Sequence, residues 1–264
     1  VRVIIESDAD AVAECASGFF QSLLLHKPDV VLGLATGSTP IKLYQKLIQK
    51  FQQGLLNFQQ ATTFNLDEYV GLEIGHPESY RCFMQEQLFR HINVRPEATH
   101  LPQVESKNLL RQGADYDEKI LAAGGIDLQL LGIGSDGHIG FNEPGSSLAS
   151  RTRIKALTRV TRQDNARFFN SIDDVPKLSV TMGIGSILKA RRCMLLATGP
   201  AKAKAIQAMI EGSVTARVPA SALQLHPDTI VILDPDAAKL LQFKDYYQDS
   251  ELLQRELEST TTET

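Results

Sequence analysis

Short β-branched runs alternate with longer amphipathic runs along most of this chain, and no other feature constrains its fold as much. Residues 3–5, 30–35, 62–66, 126–133, 193–197 and 229–233 read as strands, the run at 126–133 being the most apolar. Residues 8–25, 41–51, 80–91 and 201–211 carry apolar side chains at helical spacing. Strands separated by helices pair in parallel, and the crossover helices cover both faces of the sheet. The expected architecture is therefore an α/β single domain, an open and mostly parallel sheet with helices on both faces, of the Rossmann-like kind. Its 264 residues suffice for one such core, which at this size buries roughly 70–75% of the unfolded chain's surface.

One segment interrupts the alternation. Residues 151–179 are rich in basic and polar side chains, and they read either as a lid over the sheet edge, at about 156–180, or as an ordinary surface insertion. The domain is expected to span residues 1–250, and 251–264, ending in STTTET, to be a polar, frayed tail.

Charge and cysteine usage exclude several classes. The net charge is -4 with no basic block, so duplex nucleic acid is not an expected partner. No apolar run approaches the ~20 residues of a membrane helix, and the N-terminus carries no secretory pattern. Cys15, Cys82 and Cys193 stand far apart, which argues against a disulfide framework and against a structural zinc site. A cytoplasmic protein handling a small ligand is the expectation.

In open α/β sheets ligands bind beyond the carboxyl ends of the strands, and three chemically rich segments fall there. The first is Gly33-Leu-Ala-Thr36-Gly37-Ser38-Thr39-Pro40. Glycines admit a close ligand, hydroxyls donate, and Pro40 suits a first helical turn, whose free N–H groups favour an anion such as a phosphomonoester. It lacks the lysine of a Walker A loop and the spacing of a dinucleotide loop, and a plain capped turn is the competing reading. The second segment is Asn65-Leu66-Asp67-Glu68-Tyr69, whose acids can serve as a general base, a metal ligand or a solvated turn. A carboxylate placed between Leu66 and Tyr69 is partly desolvated, and desolvation makes it a stronger base.

The third segment is the densest, Gly132-Ile-Gly134-Ser-Asp136-Gly137-His138-Ile-Gly140-Phe-Asn142-Glu143-Pro144-Gly145. A histidine among carboxylates is fixed in one tautomer and suits proton transfer. A mixed oxygen and nitrogen metal site competes, but the other five histidines are scattered, so no metal is expected. There is no G-x-S-x-G nucleophile elbow.

The phrases LGLATGSTP, TFNLDEYVGL, HPESY, GIGSDGHIGFNEPGSSLASRTRIK and LQLHPD, in this order over most of the chain, resemble the glucosamine-6-phosphate deaminase family. The FNEP extension after DGHIG is expected to separate this family from sugar-phosphate lactonases sharing the DGH element. The resemblance implies conversion of glucosamine 6-phosphate and water to fructose 6-phosphate and ammonia, without a cofactor. It implies Asp67 as the base at C1/C2 and His138 as the ring-opening acid–base, with Asp136 and Glu143 as its carboxylates. It places Thr36, Gly37, Ser38, Thr39, Arg167 and Lys202 at the substrate phosphate. In regulated hexameric members, positions matching Ser146, Arg153 and Lys155, with a C-terminal tyrosine taken here as Tyr246, bind the activator N-acetylglucosamine 6-phosphate. Ala156 stands where those members carry a threonine. A homo-oligomer is the resulting expectation. A lactonase and a non-catalytic sugar sensor remain the other readings. The sensor requires a DNA-binding module for which this chain has neither spare length nor basic charge.

Overall fold

The computed structural model describes residues 1–262 apart from 74, 105–108, 167 and 168. Seven strands form the main sheet, all parallel, in the order β1-β10-β9-β6-β2-β3-β5. They are β1 (Arg2–Ile5), β2 (Val31–Leu34), β3 (Thr62–Asn65), β5 (Thr99–His100), β6 (Leu128–Leu131), β9 (Arg192–Ala197) and β10 (Thr229–Leu233). β2, β6 and β10 are buried at every position, as strands covered on both faces must be.

The covering helices follow from local chemistry. In α1 (Ala9–His26) Val12, Ala16, Phe20 and Leu24 recur every four residues and are buried, and the Asp8 carboxylate caps the free N–H groups of Asp10 and Ala11. α2 (Thr39–Gln52) opens on Pro40 and buries Leu43, Tyr44 and Leu47. α3 (Tyr80–Gln87), α4 (Leu109–Ala122), α6 (Ile184–Ile187) and α7 (Ala203–Ile210) complete the layers.

A second sheet was not anticipated. β4 (Asp67–Val70), β8 (Leu178–Thr181) and β7 (Arg153–Ala156) pair antiparallel in the order β4-β8-β7. The acidic segment expected as a loop is thus a strand, and its register sets Asp67 opposite Thr181, which lies opposite Arg153. Residues in such a row point to one face. Leu66 joins the sheets, donating to Leu34 and accepting from Met182. Residues 157–177 connect β7 to β8 and contain α5 (Arg159–Asn165).

The frayed tail also requires correction. α8 (Lys244–Thr262) continues through residues 251–262, and Arg2 binds Glu251 with both Nε (2.7 Å) and Nη2 (2.9 Å). Arg255 bridges Glu251 and Glu6. The polar residues that suggested fraying are the ones that clamp the helix to β1.

Candidate active site

The parallel order reverses direction between β2 and β6, since β3 lies on one side and β9 on the other, and a crevice opens at such a switch point. Here it is a cleft of about 270 Å³. The loop after β2 contributes Thr36, Gly37, Ser38 and Thr39, the loop after β6 contributes His138, and β4 contributes Asp67. Lys202 enters from the turn before α7, and Tyr80, Phe141, Thr161 and Asn165 complete the walls.

At one end the first turn of α2 points into the cleft. Ser38 occupies the cap position but its side chain makes no capping hydrogen bond, so the plain capped turn is not what forms. The free N–H groups, the hydroxyls and the Lys202 cation together suit a phosphate dianion. The loop carrying Lys202 is held by Asp234, whose carboxylate accepts from Gly199 N (2.8 Å) and Ala237 N (2.8 Å).

Asp67 is buried, and no donor reaches its carboxyl among the described residues. Burial, and secondarily the charge of Glu68, push it up to about 8. Gly140 passes beside it: a Cβ there would stand 3.4 Å from Asp67 Oδ2 and 3.0 Å from Thr181 Oγ1. Thr181 Oγ1 in turn accepts from Phe141 N (3.0 Å), fastening the loop after β6 over Asp67.

His138 belongs to a tight turn, with its carbonyl accepting from Gly134 N. Asp136 Oδ1 takes both the ring Nδ1 (2.7 Å) and the backbone N–H (3.1 Å) of His138, and the ring holds the Asp136 carboxyl below its usual range. An acceptor-only partner puts the proton on Nδ1 and leaves Nε2 for the cleft. Glu143 is placed differently from the expectation of two carboxylates on one histidine. Its Oε1 accepts from Thr158 N (3.0 Å) and Thr161 Oγ1 (2.5 Å), at the start of α5.

Arg167 lies outside the described residues. Arg153 and Lys155 lie along β7, and Arg153 Nη1 reaches Asn142 Oδ1 (2.8 Å). Ser146 is buried and its Oγ has no hydrogen-bond partner among the described residues. Tyr246 is exposed on α8, which packs on β1 at the far edge of the sheet, so one chain does not bring it to this group. No three His, Cys, Asp or Glu side chains gather as a metal site among the described residues.

Residues 6–232 match the family described as glucosamine-6-phosphate isomerases and 6-phosphogluconolactonases. The chain belongs to this family. It is 56% identical over 248 residues to the glucosamine-6-phosphate deaminase of Hahella chejuensis, covering 94% of this chain and 95% of that one. Against the Clostridioides difficile deaminase the identity is 47% over 246 residues, 93% of this chain and 99% of the relative. A solved monomeric glucosamine-6-phosphate deaminase is 43% identical with a TM-score of 0.89, and covers 91% of this chain and 100% of its own. The 6-phosphogluconolactonase of Trypanosoma cruzi, at 22% identity and a TM-score of 0.72 over 91% of this chain and 97% of its own, shares the fold.

Sequence reasoning missed four wall residues of the family site here. Tyr80 appeared in the HPESY phrase without a role; its hydroxyl donates to the Tyr69 hydroxyl (3.3 Å), and its ring stacks on Phe141. Phe141 appeared in the FNEP phrase without a role, and Thr161 and Asn165 carried no signal of their own, since only the folding of α5 across the cleft brings them to the wall that Asp67 shares.

Proposed function

We propose that this chain is a glucosamine-6-phosphate deaminase, a hydrolase acting on a C–N bond, releasing fructose 6-phosphate and ammonia. The observation that carries the reading is one cleft holding a desolvated carboxyl, Asp67, an Asp136-oriented imidazole, His138, and an open helix N-terminus beside Lys202.

The roles follow from the chemistry. The substrate phosphate docks at Thr36–Thr39 and Lys202, with Arg167 as a further contact. His138 Nε2 takes the proton of the C1 hydroxyl and hands it to the ring oxygen as the C1–O bond to the ring breaks, which frees C1 as an aldehyde and acidifies the C2 proton. Asp67 removes that proton from C2 and returns it to C1, turning the enolamine into a C2 imine. Water adds at C2 and ammonia leaves. C2 is oxidised as C1 is reduced within one molecule, so the electrons balance without a redox partner. A base raised to about 8 takes a carbon-bound proton more readily than an ordinary carboxylate. Glu143 supports the histidine once Thr158 and Thr161 release it. The segment at about 156–180 acts as the lid over this cleft within a single domain. No described helix is long and apolar enough to cross a membrane, and the three cysteines are free, which supports a cytoplasmic setting.

Ser146, Arg153 and Lys155, with Tyr246 of another copy, form an activator site for N-acetylglucosamine 6-phosphate in a homo-oligomer, a hexamer by family resemblance. The buried, unpartnered Ser146 hydroxyl supports this part, while the monomeric relative sets the opposing expectation. Light scattering and substrate curves with and without the acetylated sugar decide between them. For the reaction itself, ammonia and fructose 6-phosphate measured together from glucosamine 6-phosphate are expected in equal amounts. Hydrolysis of 6-phosphogluconolactone without ammonia release would overturn the assignment.

A further inference from the structure

The reaction scheme gives no task to Glu68, the buried acid beside Asp67. Glu68 neighbours Asp67 on β4, but alternation along the strand sends their side chains to opposite faces, Asp67 with Thr181 and Glu68 with Val180. Each is only 5% exposed, so little water screens one from the other. Their surroundings differ sharply. Glu68 Oε1 accepts from Tyr69 N (2.9 Å) and Tyr80 N (2.9 Å), and Oε2 accepts from Arg81 N (2.9 Å). These are the β4 backbone and the first turn of α3, whose exposed N–H groups favour a negative charge.

We propose that Glu68 is the positioning residue of the carbon base: pinned between β4 and α3, it fixes Tyr80 against Asp67 and keeps a permanent negative charge behind the base. The proposal rests on the reading of Asp67 as base. Two carboxyls this close do not ionise independently, and the one with donors ionises first. Burial raises the Glu68 carboxyl above its usual range, and its three N–H donors and the Arg81 cation oppose that rise. Asp67, with no donor among the described residues, keeps the late proton. Three phenols also reach Asp67, Tyr69 on β4, Tyr80 on α3 and Tyr116 on α4, and His138 and Lys202 line the same cleft. Glu68 is therefore the nearby acid able to set the proton affinity of the base, and its hydrogen bonds also place the Tyr80 ring that walls the cleft.

The pH dependence of kcat/KM in Glu68→Gln, Glu68→Asp and Asp67→Asn tests this. In Glu68→Gln the limb that rises with base ionisation should move about one pH unit lower, the scale expected for removing a charge at this range behind little water. The amino and phosphate groups of the substrate titrate equally with every variant, so the difference isolates the enzyme. Glu68→Asp keeps the charge but cannot span the three donors; its limb should stay in place while its Tm falls. An unmoved limb in Glu68→Gln, with only Tm reduced, would overturn the proposal and leave Asp67 as base. Retained turnover in Asp67→Asn would instead overturn the base assignment beneath it. If Glu68→Gln does not fold, pH-difference infrared spectroscopy on wild type and Asp67→Asn reads the same order of ionisation. Loss of the higher carboxyl transition in Asp67→Asn supports the proposal; loss of the lower one refutes it.

Discussion

The Arg153 guanidinium donates to the Asn142 side-chain oxygen at 2.8 Å, while the Asn142 amide group donates to Ile139 O and Met182 O. A cation on β7 thus steadies the loop between His138 and Glu143. Replacing Arg153 with Met leaves the buried Asn142 oxygen unpaired, at a cost of about 1–3 kcal/mol. We expect kcat to fall several-fold without activator and amide exchange across residues 139–145 to quicken. Unchanged exchange in that loop would show that Asn142 is held by its other bonds alone.

Asp67 links activity to stability. Its carboxyl rises from 3.8 to about 8 on folding, so the native state binds the extra proton between those values. Its stabilising contribution is complete below about pH 4 and is lost as pH rises through about 8. Asp67→Asn cannot ionise and escapes that loss. It should be inactive, yet melt higher than wild type at pH 8–9, by about 2–4 °C per kcal/mol recovered. At pH 4 the two should melt alike. A variant less stable than wild type at pH 9 contradicts this.

Gly134 leaves room for the imidazole. A Cβ at that position would lie 2.2 Å from His138 Cε1 and Nδ1, and Gly134 is not at positive φ, so the backbone itself accepts alanine. Gly134→Ala should fold and bind substrate while displacing the ring from Asp136. A misplacement on that scale costs about 10²-fold in kcat. Circular dichroism and Tm check the fold, and near-normal kcat would remove His138 from the reaction.

In the proposed reaction Lys202 and the first turn of α2 share the substrate phosphate. Lys202→Ala should raise KM for the phosphorylated sugar about 10–100-fold, the worth of one hydrogen bond to a charged group, with a smaller change in kcat. Asp234→Ala frees the Gly199 loop and should raise KM in the same direction. Inorganic phosphate should inhibit wild type competitively and the Lys202 variant far less. Equal inhibition of both would place the anion elsewhere.

Much of the cleft was legible because it lies at strand ends. The runs at 30–35 and 126–133 announce β2 and β6, and the residues following them are the ones a phosphate and a proton shuttle require. The small antiparallel sheet was not legible. β4 begins with two acids and β7 carries alternating cations, compositions that normally signal solvated surface. Both become strands because β8 supplies partners more than twenty residues beyond β7 and more than a hundred beyond β4.

The sequence by itself determined the parallel α/β sheet, the loops that meet above it and the residue types offered there, because helix and strand periods and turn chemistry act over a few neighbours. Tertiary structure alone decided what those residues can do. Asp67 is desolvated only when Gly140, Thr181 and the aromatic wall close around it, and Glu68 takes its three donors partly from residues twelve and thirteen positions away. Glu143, which stands near His138 in sequence, is bound instead by Thr158 and Thr161. Desolvation and pairing depend on which segments pack together, and a carboxyl's local sequence carries no record of the dielectric it will meet.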